Sequence, residues 1–94
     1  SNDVEFYSPL APLIKQFIQE KRACGLQYNE APRILNHFDQ FLCQTTLREM
    51  TLPEDLVLHW LEKFPKEQAS THQRRISLIR QLASMMVRLG YPAY

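Results

Sequence analysis

Residues 70 to 90, STHQRRISLIRQLASMMVRLG, constrain the fold of this chain more than any other stretch. Ile76, Ile79, Leu82, Ala83, Met86 and Leu89 recur at three- and four-residue steps. That spacing makes one continuous apolar stripe on a helix, and such a stripe must be buried. The opposite face carries Gln73, Arg74, Ser77, Arg80, Gln81, Ser84 and Arg88, a run of donors and positive charge. Ser70 or Thr71 is suited to cap the start, Gly90 to the left-handed position after the last turn, and Pro92 forbids continuation. The remaining segments read as partner surface for this helix.

Three further helices are expected upstream. Leu10, Leu13, Ile14, Phe17 and Ile18 set a helical period from Pro9 to Cys24, with Ser8 as N-cap, Pro9 in the first helical position and Gly25 as terminator. After a tight connection through Tyr28, Asn29 caps a second helix from Glu30 to Cys43, built on Ile34, Leu35, Phe38, Phe41 and Leu42, with Pro32 in its first turn. Residues 44 to 50 lack a period and form a loop. Thr51 and Glu54 then have the spacing of a capping box for a third helix that carries Leu56, Val57, Trp60, Leu61 and Phe64 and stops before Pro65. Helical periods throughout and no alternating pattern predict an all-α bundle of four amphipathic helices.

Ninety-four residues make one domain with room for a modest core but not for a core and a buried catalytic cleft. No apolar run is long enough to span a membrane and no signal segment opens the chain, so a soluble cytoplasmic protein is expected. Ser1-Asn2 is read as a remnant of tag removal, and Tyr91 to Tyr94 as a stub of a longer chain. The formal charge of +1 conceals an uneven distribution. Residues 1–44 hold four bases against five acids and residues 45–64 two against four, whereas residues 65–94 hold Lys66, Arg74, Arg75, Arg80 and Arg88 against Glu67 alone. A local surface facing a polyanion is the reading this asymmetry supports.

Signs of other chemistry are absent. Cys24 and Cys43 close different helices and are expected to be buried reduced thiols, too far apart for a disulfide. His37, His59 and His72 stand on three helices without metal-ligand spacing, so no metal or other cofactor is expected. Glu54-Asp55 suits a helix start better than acid-base work. No phosphate-cradling or nucleophile-elbow string exists in this chain, whose two glycines are Gly25 and Gly90. This chain is therefore not expected to be an enzyme by itself, or to bind a small-molecule substrate.

In order along the chain, Phe17-Ile-Gln-Glu-Lys-Arg-Ala-Cys-Gly-Leu26, Leu35-Asn-His-Phe-Asp-Gln-Phe-Leu42, Trp60 on a short helix, Thr71-His-Gln-Arg-Arg-Ile-Ser-Leu-Ile-Arg-Gln-Leu82 and Leu89-Gly90 resemble the N-terminal core-binding domain of tyrosine recombinases, the phage-integrase group. The resemblance covers nearly the whole chain. It implies a SAM-like bundle of four or five helices that binds double-stranded DNA, in a parent protein that oligomerises on DNA and carries its catalytic residues in a separate C-terminal domain. Tyr91 and Tyr94 stand where the interdomain linker would begin and are not read as the nucleophile.

By position, the resemblance assigns DNA contacts to Thr71, Gln73, Arg74, Arg75, Ser77 and Arg80 on the fourth helix and to Asn29, Arg33, Asn36 and His37 on the second. The residues of the fourth helix agree on chemical grounds, since Arg, Gln and hydroxyl groups near a helix N-terminus reach phosphates or base edges. Arg75 lies nearer the apolar stripe, where its stem would cover the core edge. Ala31-Pro32 replaces the family's usual Thr at the start of helix two. Leu82 and Met85 or Met86 replace aromatic residues in helix four, and the Met pair suggests a pliable edge toward a neighbouring protomer. An alternative of another class is a helical protein-interaction module that uses Met85, Met86 and exposed aromatics. A helix-turn-helix regulator is disfavoured, because no tight Gly-containing turn joins two short helices.

Overall fold

The computed structural model describes residues 4–24 and 30–94. Among them the regular structure is four helices and no strand: α1 (Ala11–Ala23), α2 (Ala31–Cys43), α3 (Glu54–Trp60) and α4 (Ala69–Arg88). The protein is all-α, and no helix among the described residues is long and apolar enough to cross a membrane. It divides into two compact units, Ser1–Met50 and Thr51–Tyr94.

In the first unit α1 buries Leu13, Ile14, Phe17 and Ile18, and α2 buries Leu35, Phe38 and Leu42. Each large apolar side chain removed from water contributes about 1.5–3 kcal/mol, so these two stripes are the main reason the helices persist. The lead-in to α1 differs from expectation. Ser8 does not cap the helix directly; its Oγ accepts the N–H of Leu10 at 3.2 Å and its carbonyl accepts that of Ala11 at 3.0 Å, making a turn ahead of the first residue. Pro12, not Pro9, occupies the first helical turn. The turn is held by Asp39 of α2, whose carboxylate is buried and accepts the N–H groups of Tyr7 (2.8 Å) and Ser8 (3.0 Å). Glu30 takes the N-cap position of α2 without a side-chain bond that caps the helix; Asn29, the expected cap, and Gly25 and Tyr28 lie outside the described residues. Cys24 and Cys43 are free thiols, as expected, but both are exposed because each stands at a helix end off its apolar stripe.

The second unit departs from expectation around α3. Thr51 and Glu54 form no capping box, and Pro53 takes the N-cap position without a side-chain bond. Leu52 is drawn instead into a parallel bridge with Ala93: its N–H donates to Pro92 O and its carbonyl accepts from Tyr94 N, both at 3.0 Å. Residues 92–94 are thereby paired with Leu52. At its other end α3 stops at Trp60, one turn before Phe64.

Helix α4 starts two or three residues earlier than the expected caps Ser70 or Thr71 suggested, with Gln68 at the N-cap and no side-chain cap bond. Its C-terminus follows the glycine argument closely. Gly90 has φ +92°, Tyr91 N donates to Met86 O at 2.8 Å and Gly90 N to Val87 O at 3.0 Å, the two bonds of a Schellman motif. The buried stripe is turned slightly from the expected one. Arg75, Leu78, Ile79, Leu82, Ala83, Met85 and Met86 are buried, whereas Ile76 is half-buried and Leu89 exposed. Met85 and Met86, at 4% and 0% exposure, are core residues and no edge for a neighbouring protomer.

Candidate nucleic-acid interface and the arginine beneath it

The most densely bonded side chain of the second unit is Arg75. Its guanidinium donates from Nε to Glu67 Oε2 (2.7 Å) and from Nη2 to Glu67 Oε1 (2.8 Å), the parallel fork that arginine and a carboxylate make. Two further bonds reach the main chain: Nη1 to Trp60 O at 2.7 Å and Nη2 to Glu62 O at 2.9 Å. Trp60 is the last residue of α3, so its carbonyl lacks a helical partner and is available to an outside donor. The flat ion also lies over two rings, 4.7 Å from the centroid of Trp60 and 4.1 Å from that of Phe64. His72, one turn earlier on α4, donates from Nε2 to Leu61 O at 2.7 Å. Together these bonds join the end of α3 and the 61–67 connection to the first turns of α4, and they explain why α3 ends where it does.

Glu67 completes this network. Its carboxylate also accepts the N–H of Phe64 at 3.2 Å. Arg75 and Glu67 side chains are 4% and 5% exposed, so the pair is screened from solvent. The hydrogen bond from Arg75 is the largest influence on the Glu67 carboxyl; it outweighs the opposing effect of burial and, with the Phe64 N–H and the positive charge nearby, lowers the pKa from 4.5 to about 2.

This geometry corrects the assignment of Arg75 to a DNA-facing set. A guanidinium that is buried, forked onto a carboxylate and bonded to two carbonyls is turned into the fold and away from a phosphate. Position on the apolar stripe was the signal for this role, together with Glu67 as the lone acid in residues 65–94.

The other residues singled out on α4 fall differently. Gln73, Arg74, Ser77 and Arg80 are exposed, and Thr71 is half-buried in the first turn. Ser84 and Arg88, further along, are exposed as well. Steps of three and four residues put Gln73, Arg74, Ser77, Arg80, Ser84 and Arg88 on one face, which extends over about 20 Å at 1.5 Å per residue. Gln81 reinforces it by donating to Ser77 Oγ at 3.1 Å. Helix α4 contains no Asp or Glu, and Arg75 fully engages the only acid of the flanking segment, leaving this face positive.

On α2, Arg33 and His37 are exposed at a four-residue step and Gln40 follows on the same face. Asn36 is half-buried and occupied: its Nδ2 donates to Glu5 O at 3.0 Å while its Oδ1 accepts from Gln40 Nε2 at 3.1 Å. Asn36 is thus a strut for the residues ahead of α1, and Gln40 is the polar residue of this face that sequence reasoning passed over. Asn29 lies outside the described residues. Among those described, no cluster of His, Cys, Asp or Glu could hold a metal ion.

No family model, curated protein or solved structure matches the chain.

Proposed function

We propose that this chain is the DNA-binding domain of a tyrosine-type site-specific recombinase or integrase, a cytoplasmic domain that positions a recombination half-site for strand exchange by a separate catalytic domain. The observation that carries the reading is the acid-free, arginine- and amide-bearing face of α4, exposed from Gln73 to Arg88. The ordered resemblance of the chain to core-binding domains supplies the rest. Arg74, Arg80 and Arg88 are suited to phosphates flanking a major groove; Gln73 and Ser77 between them are suited to base edges or phosphate oxygens. The first turn of α4, with no side-chain cap, adds backbone N–H groups of the kind that bind phosphate. On α2, Arg33 and His37 supply separate contacts. Met85 and Met86 are buried, so the protein-interaction alternative is left with the exposed aromatics alone.

Three arginine-phosphate contacts give log affinity against log salt a slope of about −3, from about −0.9 per phosphate. Arg74→Ala with Arg80→Ala lowers that slope in magnitude by about 2 and leaves thermal unfolding unchanged, because both side chains are exposed. Affinity that is independent of salt, or unaltered in the double variant, overturns the reading.

A further inference from the structure

The second unit carries an open cleft of about 450 Å³ that shares only Arg80 with the DNA-facing surface. Val57 and Ile79, both buried, form its floor, and Leu58, Leu61, Ile76 and Tyr94 its walls. Ile76 belongs to the apolar stripe of α4 by spacing, yet it is only half-covered because the buried face is turned toward Leu78 and Met85. Two of these walls are open to solvent, with Leu58 49% and Tyr94 58% exposed. The single charged residue in the lining is Arg80.

We propose that this cleft docks an amphipathic helix of a partner protein that bears an acidic residue, with the partner's carboxylate on Arg80 and its apolar ridge between α3 and α4. Charge complementarity selects the occupant: a lining that is apolar except for one cation accepts an apolar ligand with one anion and rejects one with a cation. The walls select a helix. Leu58 and Leu61 are one turn apart on one side, and Ile76 and Arg80 one turn apart on the other, the spacing into which a ridge of i, i+3, i+4 residues fits. The cleft is distinct from the DNA reading in everything except Arg80, which belongs to both surfaces. An acidic partner on Arg80 therefore removes one phosphate contact, and partner and DNA weaken each other's binding by the same factor.

The test uses the 94-residue chain and two synthetic 15-residue helical peptides with Leu at i, i+3, i+4 and i+7, one with Glu and one with Lys flanking the ridge. In a chemical-shift titration without DNA, the Glu peptide shifts resonances of Leu58, Leu61, Ile76, Arg80 and Tyr94. Its affinity falls about tenfold in Leu58→Asn and about fivefold in Arg80→Gln, and the Lys peptide binds about fivefold more weakly than the Glu peptide. Leu58→Asn retains full DNA affinity. Absence of shifts at millimolar peptide, equal binding of the two peptides, or indifference to both variants overturns the proposal. Concentration-dependent self-association through these residues likewise overturns it, in favour of a second copy as occupant. Because the titration contains no DNA, failure of the recombinase reading leaves its outcome interpretable.

Discussion

Replacing Arg75 by Met keeps an apolar stem of similar length and removes only the guanidinium. The Glu67 carboxylate then remains at 5% exposure without its counterion, and the carbonyls of Trp60 and Glu62 lose their donor. Adding the four hydrogen bonds at about 1.5–3 kcal/mol each would overcount, since one ion makes them all. The better guide is the cost of breaking a buried ion pair by removing one partner, about 3–5 kcal/mol. A chain of this length has a total stability of about 5–14 kcal/mol, so the variant loses a large share of it. Urea unfolding followed by the fluorescence of Trp60, the one tryptophan, reads this directly, because the ring lies beneath the guanidinium. Adding Glu67→Met to Arg75→Met restores part of the loss, since no charge is left buried, and the coupling exceeds about 1 kcal/mol. A loss under about 1 kcal/mol in Arg75→Met, accompanied by a collapse of DNA affinity, would refute the placement of Arg75 in the fold and return it to the DNA face.

Further expectations concern the groups that support these elements. Glu67 has a folded pKa of about 2 against 4.5 ordinarily, so its contribution is fully present above pH 4.5 and is lost as pH falls toward 2; Glu67→Gln flattens that part of the stability profile in acid titrations followed by circular dichroism. Asp39→Ala strands the N–H of buried Ser8 and that of Tyr7, costing about 2–3 kcal/mol, whereas an exposed carboxylate on the same helix would cost under about 0.5 kcal/mol in the same urea assay. Gly90→Ala meets no atom within 4 Å, so its cost of about 1–2 kcal/mol comes from the positive φ alone, and a neutral result in thermal unfolding would contradict the Schellman ending of α4.

Some of these features were legible in the residues and others were not, for physical reasons. Helix number and type follow from apolar spacing, a local property, and the end of α4 from Gly90 and Pro92. The start and end of α3 do not follow, because each is decided by a partner distant in sequence: Leu52 pairs with residues 92–94, and Trp60 O is taken by Arg75, fifteen residues on. The capping box at Thr51 and Glu54 was a sound local motif that lost to that pairing. For the surface, periodicity alone identified Gln73, Arg74, Ser77 and Arg80 as exposed. It could not decide between an arginine whose stem covers the core edge and one whose whole head is buried, since that depends on where Glu67 comes to lie. Nor could it reveal that Asn36 is engaged with Glu5 O, or that Asp39 has its carboxylate inside; both facts depend on the path of residues 4–8 ahead of α1.

The most direct test of the central claim is an amide chemical-shift titration of the chain with a generic DNA duplex, at low salt and again at higher salt. The expected shifts are concentrated from Thr71 to Arg88 on the exposed side of α4, weakened by salt, with Arg33 and His37 affected on α2 and the Arg75 side-chain Nε resonance unmoved. No shifts at millimolar duplex, or shifts centred on the Leu58–Tyr94 cleft, would contradict it.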